Sequence, residues 1–294
     1  MSNRPNLGFN EIRLLAAVLF MLATSFAQQA PPDLKSQMPA QELVNRVIQN
    51  ELHALETDHS RWMYVSRQEE PGKKQVREVV QTKFGSLPRL LLLNDQPLTP
   101  EQRRKDEERI QKLVNDPSEQ QKKLQSQKED SEKARKMLRV FPLAFLYEYD
   151  GEDGHLLRLK FRPNPDFDPP DRETQVFHAM EGNMWVDPKA MRLAKLAGHL
   201  TQDVTFGWGL LGRLEKGGTF LVEQTEIIPN HWETTTMDVN MHGHAIIFKS
   251  INVQEKEHLS DFRKVPDDLT LADAAKILLK EPAISASTGA PGSK

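Results

Sequence analysis

From residue 144 almost to its end, the chain alternates apolar and polar side chains at a period of two, in strand-length runs separated by turn residues. Leu157, Leu159 and Phe161 alternate with Arg158, Lys160 and Arg162, and Met237, Val239 and Met241 alternate with Thr236, Asp238, Asn240 and His242. Successive side chains of a strand point to opposite faces, so each run presents one apolar and one polar side. Strand patterns cover 61–68, 76–83 and 87–93 before the centre of the chain, and 157–161, 174–186, 193–206, 219–228, 232–241 and 245–254 after it. Pro71-Gly72 and Asp187-Pro188-Lys189 mark turns, Gly182 marks a bend, and His242-Gly243 reads as a two-residue hairpin turn. Strands joined this tightly pair antiparallel, and an open sheet of about ten of them curls. The pattern predicts a mainly β fold: a curled antiparallel sheet, a half-barrel, with a concave apolar face.

Helical spacing flanks and interrupts this sheet. In residues 40–56, Leu43, Val47, Ile48, Leu52 and Leu55 share a face; in residues 268–280, Thr270 starts a helix carrying Leu271, Ala274, Ala275, Ile277 and Leu278. These two helices are candidates to fill the concave face. Residues 99–140 break the β pattern. Thr99, Pro100 and Gln102 form a helix start, and Asp116-Pro117-Ser118-Glu119 repeats the grammar. Apolar residues are sparse there (Ile110, Leu113, Val114, Leu124) until Ala134, Met137, Leu138 and Val140. The stretch predicts an inserted, charged helical hairpin that protrudes from the sheet and adds little to the core. It serves as a connection or, alternatively, as a partner-docking arm.

The first residues carry an export address. Arg4 and Arg13 precede an unbroken apolar run over 14–23, and Ser25-Phe26-Ala27 fits small-x-small cleavage. Ten apolar residues are too few to span a bilayer, which takes about 20. The expected organisation is a signal peptide at 1–27, a flexible leader at 28–38, one β-rich domain at 39–281 with its helical insertion at 99–140, and a disordered tail at 282–294. The expected location is the periplasm, with no integral membrane segment after cleavage. The chain has no Cys, so the domain is held by its own core and thiol chemistry is excluded. A formal net charge of −3 argues against nucleic acid as a partner.

Motifs for catalysis or metal binding fail on context. Residues 207–212 match G-x-G-x-x-G, but no helix pattern follows and no parallel βαβ unit surrounds them. A wide connection or bulged corner fits better, with a mobile flap over a cavity mouth as the functional alternative. His242 and His244 would share a side if they lay on a strand and could then ligate zinc; a turn at Gly243 separates them. His178, His199 and His231 are scattered. Asp150, Glu152 and Asp153, and again Asp166, Asp168 and Asp171, lie in turns or loops without EF-hand spacing. No G-x-S-x-G elbow is present. No catalytic residue, cofactor or metal is assigned.

Glu181-Gly182-Asn183-Met184-Trp185-Val186-Asp187-Pro188-Lys189, followed by Arg192-Leu193, resembles the G-x-x-W-V-D-P strand-turn-strand of periplasmic outer-membrane lipoprotein-sorting proteins, the LolA/LolB-like family. The patterns at 232–239 and 245–253 fit that family's later hairpin. Phe177-His178-Ala179-Met180-Glu181-Gly182 and Phe206-Gly207-Trp208-Gly209 also resemble phrases of uncharacterised exported bacterial proteins. The family resemblance implies a half-barrel with helices as a lid over an apolar cavity for acyl chains. The insertion at 99–140 departs from the family, and no ligand-gripping residue carries over by position. The expected function is a non-catalytic periplasmic binder or carrier of lipid or lipoprotein-like apolar ligands. The alternative is an envelope interaction or stress-sensing protein that works through protein contacts. The expected cavity residues are Met184, Trp185, Trp208, Met237, Val239, Met241 and Ile251.

Overall fold

A computed structural model describes residues 38–206, 212–245 and 249–280. The expected signal peptide, the leader up to residue 37, the tail at 282–294 and Trp208 lie outside the described residues.

The strands form one antiparallel sheet that is not closed into a barrel. It is wound from two meanders. The first is β1 (Arg61–Glu70), β2 (Lys73–Val80), β3 (Leu87–Leu93) and the short β4 (Gln96–Pro97). The second is β5 (Phe145–Asp153), β6 (Leu156–Pro163), β7 (Met180–Asp187), β8 (Arg192–Leu200), β11 (Thr219–Ile228), β12 (His231–Ala245) and β13 (Lys249–Val265), with β9 (Val204–Phe206) and β10 (Gly212–Leu214) as a side ribbon against β12. The spatial order is β4-β3-β2-β1-β13-β12-β11-β8-β7-β6-β5. One seam joins the meanders: β1 pairs with β13, from Arg61 opposite Val265 to Glu69 opposite Lys256.

Among the described residues, four α-helices complete the fold: α1 (Ala40–Thr57), α2 (Pro100–Asn115), α3 (Pro117–Ala144) and α4 (Leu271–Lys280). In α1 the residues Leu43, Val44, Val47, Ile48 and Leu52 are buried, the three-and-four spacing that turns one face to the sheet. The expected capping is present in α2: Thr99 accepts from the Gln102 N–H, and the Gln102 side chain returns a bond to the Thr99 N–H. At α3 the Asp116 carboxylate accepts from the N–H groups of Ser118 and Glu119. Burying such apolar side chains stabilises by about 1.5–3 kcal/mol each, so packing rather than capping holds these helices in place.

The hairpin does not protrude. Ile110 is fully buried with Met63, Val80, Leu87, Leu271 and Leu278, where α2 meets β3 and α4. The far half of α3 sends Ala134, Met137, Leu138 and Phe141 into the main core. Charge is abundant on α2, but the few apolar residues are placed where they count. The same helix seals a sheet edge: Asp106 accepts from the backbone N–H of Leu90 at 2.9 Å, and Arg109 donates to the carbonyl of Pro88. A side chain thus takes a bond that another strand would otherwise supply.

Three strand expectations change. Residues 173–179 form a 3-10 helix and β7 starts at Met180, because Asp171 accepts from the Thr174 N–H and hydroxyl and turns the chain. The expected strand over 193–206 ends at Leu200, where the Thr201 N–H turns to the carbonyl of Ala179. His242-Gly243 is no turn; it lies inside β12, which continues to Ala245. Gly243 is needed there because β10 crosses closely: a Cβ would sit 2.1 Å from the carbonyl oxygen of Arg213. Gly182 serves the same purpose against Ala197, where a Cβ would also sit 2.1 Å from a carbonyl oxygen.

Candidate functional site

Met184, Met237, Val239 and Met241 are buried and belong to one core cluster. The register brings them together: Met184 lies opposite Leu196, Leu196 opposite Val222, and Val222 opposite Met237. The period-two reading therefore put Met237, Val239 and Met241 on the buried face of β12, while for β7 it left Met184 and Trp185 open. The space above that face is filled by the protein itself, by Leu43, Val47 and Ile48 of α1 and by Met137 and Phe141 of α3. Trp185 lies on the opposite side of β7. Its indole N–H donates to Asp153 at 3.1 Å, and Lys195 stands 5.0 Å from its ring centroid. Ile251 pairs with Gly243 in β13, but its side chain lies outside the described residues.

An open groove lies where the last turn of α3, the first turn of α1 and the 163–170 loop meet. Its volume is about 540 Å³, within the usual span of ligand pockets. Val140, Pro142, Leu143, Phe145, Phe167 and Pro170 give it an apolar lining. Leu143 is 62% exposed, although its neighbours Pro142 and Ala144 are buried. Polar groups fix the walls. Gln41 donates to the carbonyl of Pro142 at 2.6 Å, and the Asn164 amide donates to that of Leu143 at 3.0 Å. Pro142 has no N–H to give the last turn of α3, which is tied instead through its carbonyls. Behind the groove, Phe141, Phe145, Phe161 and Phe177 pack with centroids 4.9–6.1 Å apart, and Phe167 leans on Phe177 at 6.4 Å. Leu143 and Phe167 come from an α-helix and a Pro-rich loop, so no single periodicity announces the groove.

A second polar cluster ties α1 to the sheet. Glu51, fully buried, receives Arg192 through two bonds of 2.9 and 3.1 Å and the Leu193 N–H at 2.8 Å. Arg192 also lies over the Trp232 ring at 5.8 Å. Just past α1, the Asp58 carboxylate is 3.6 Å from His231 Nδ1, and the His231 ring meets Trp62 edge-on at 5.7 Å. Burial pushes the Glu233 carboxyl up to about 8; Asp58 adds to the shift and Arg192 opposes it. Glu51 had a legible signal, since it sits four residues after Val47 on the apolar stripe.

Among the described residues no three His, Asp or Glu side chains are grouped to hold a metal ion. Asp171 is committed to Lys136 at 2.8 Å and to Thr174. Asp150 is paired with Arg158 and Lys160. Residues 207–211, the core of the glycine-rich stretch, lie outside the described residues. No family model, curated protein or solved structure matches this chain.

Proposed function

We propose that this chain is a non-catalytic, exported binder of an apolar ligand, taking an acyl chain in the groove beside Leu143. The carrying observation is the exposure of Leu143 at the mouth of an apolar groove backed by aromatic rings. A large apolar side chain left in water beside such a lining marks a surface that gains by being covered. The expected export signal and the resemblance to the lipoprotein-sorting family are in keeping with a periplasmic carrier. The site differs from the family expectation in place: the ligand sits at the rim of the helix layer, since α1 and α3 occupy the concave face. An interaction protein working through the hairpin would need an exposed apolar stripe there. Among the described residues of that hairpin away from the groove, Leu124 is the large apolar side chain exposed, at 42%.

The test is calorimetric titration of the purified protein with a series of straight-chain alcohols. Each buried CH₂ contributes about 0.8 kcal/mol, so affinity should rise about fourfold per carbon until the groove is full. Leu143→Ser should weaken every member of the series and leave the melting temperature unchanged. A flat series would overturn the acyl-binding reading. Sequencing the N-terminus of exported protein checks the address, with Gln28 as the expected first residue.

A further inference from the structure

The groove is apolar inside, but the charged side chains on its lining are Asp166 and Asp168, both exposed and both acidic. Turn formation does not account for Asp166. The Asp166 backbone N–H is held by the Asn164 side chain at 3.1 Å, so Asn164 shapes the loop and the Asp166 carboxylate is free of that task. Three cations are directed elsewhere: Lys136 to Asp171 at 2.8 Å, Arg139 toward Glu56 at 3.9 Å, and Arg162 toward Glu148 at 3.9 Å. Among the described residues, no Lys, Arg or His lines the groove. Among the described lining residues, a fatty-acid carboxylate entering here would meet two like charges and no counter-charge.

We propose that the groove selects an alkyl chain ending in a cationic head, an alkylammonium amphiphile, over a fatty acid. This rests on the reading that the groove binds an apolar chain. The chain lies against Leu143, Phe145 and Phe167, and the ammonium remains at the wet rim beside Asp166 and Asp168. The apolar part supplies affinity, and the two carboxylates supply the choice of head group, because exposed charges contribute little individually but reverse sign between an amine and an acid.

The experiment compares decylammonium, 1-decanol and decanoate, titrated below their micelle-forming concentrations. At low salt the expected order is decylammonium, then decanol, then decanoate, with about tenfold between the two ions. Raising ionic strength should shrink that ratio, since rim charges are screened. Asp166→Asn combined with Asp168→Asn should bring the three ligands together without weakening decanol. Equal binding of the two ions by the wild-type protein, or a preference that survives the double substitution, overturns the proposal while leaving the apolar site standing. Failure of decanol and both ions alike overturns the underlying reading instead. A synthetic peptide of residues 11–23, which joins Arg13 to the apolar run, is titrated alongside; binding of that peptide with none of decylammonium would assign the groove to a polypeptide and reject the amphiphile.

Discussion

At the scale of single residues, the most exposed point of failure is Glu51. A buried carboxylate is tolerable when its hydrogen-bonding capacity is met, and here Arg192 and the Leu193 N–H meet it. Removing one partner leaves the other buried and unpaired. Glu51→Leu should therefore cost about 3–5 kcal/mol, read from urea unfolding. Val239 and Asp238 make a second contrast on neighbouring positions. Val239 is buried opposite Phe220, while Asp238 meets Lys256 at 2.9 Å on the wet side. Val239→Asp should cost about 3–5 kcal/mol and Asp238→Ala under about 1. Equal losses would mean that the two faces of β12 are exchanged. The alternation around Val239 was legible because strand geometry is local. The Glu51–Arg192 pair was half legible: a charge on an apolar stripe is visible in the sequence, but its partner is 141 residues away. Trp185 shows the limit of a motif, which placed it beside Met184 without deciding which of the two faces inward.

At the scale of elements, the joint between α1 and the sheet should respond to pH. The folded Glu233 carboxyl holds its proton up to about 8, well above the ordinary carboxylate range, through burial first and the Asp58 carboxylate second. The folded state therefore binds this proton more tightly than the unfolded state. The corresponding stability is complete at low pH and declines as pH rises from the ordinary carboxyl range to about 8. Urea midpoints at pH 6 and pH 8.5 should fall more in the wild type than in Glu233→Gln, which stays neutral throughout. Parallel falls would remove Glu233 as the cause. Helix starts were the most legible element features, since Thr99 and Asp116 act through bonds to residues two or three away. Strand ends were the least legible. The 3-10 turn at Glu173–Ala179 depends on Asp171, and β12 runs through Gly243 because a neighbouring strand needs the space, which no local pattern encodes.

At the scale of the whole molecule, the chain between β4 and β5 joins the two extremes of the sheet path. With its 28 residues at about 1.5 Å each, α3 alone reaches roughly 42 Å. Replacing residues 99–140 with a short Gly/Ser linker should abolish the cooperative melt, measured by circular dichroism. Ile110, Met137 and Leu138 leave the core with the hairpin. A retained cooperative transition would show that the sheet closes its own core. The sequence reading of an arm that adds little to the core followed from counting apolar residues; what it lacked was where the two ends of the arm attach. The β1–β13 seam has a further consequence, one of timing. Arg61 meets Val265 across about 200 intervening residues, and pairings so distant along the chain form slowly. Until β13 has been delivered, β1 has β2 on one side and nothing on the other, an edge open to any passing strand. A chain emerging from its N-terminus cannot complete the sheet until nearly all of it is free, so the molecule stays unfinished, and in need of protection from aggregation, for as long as its last strand is withheld.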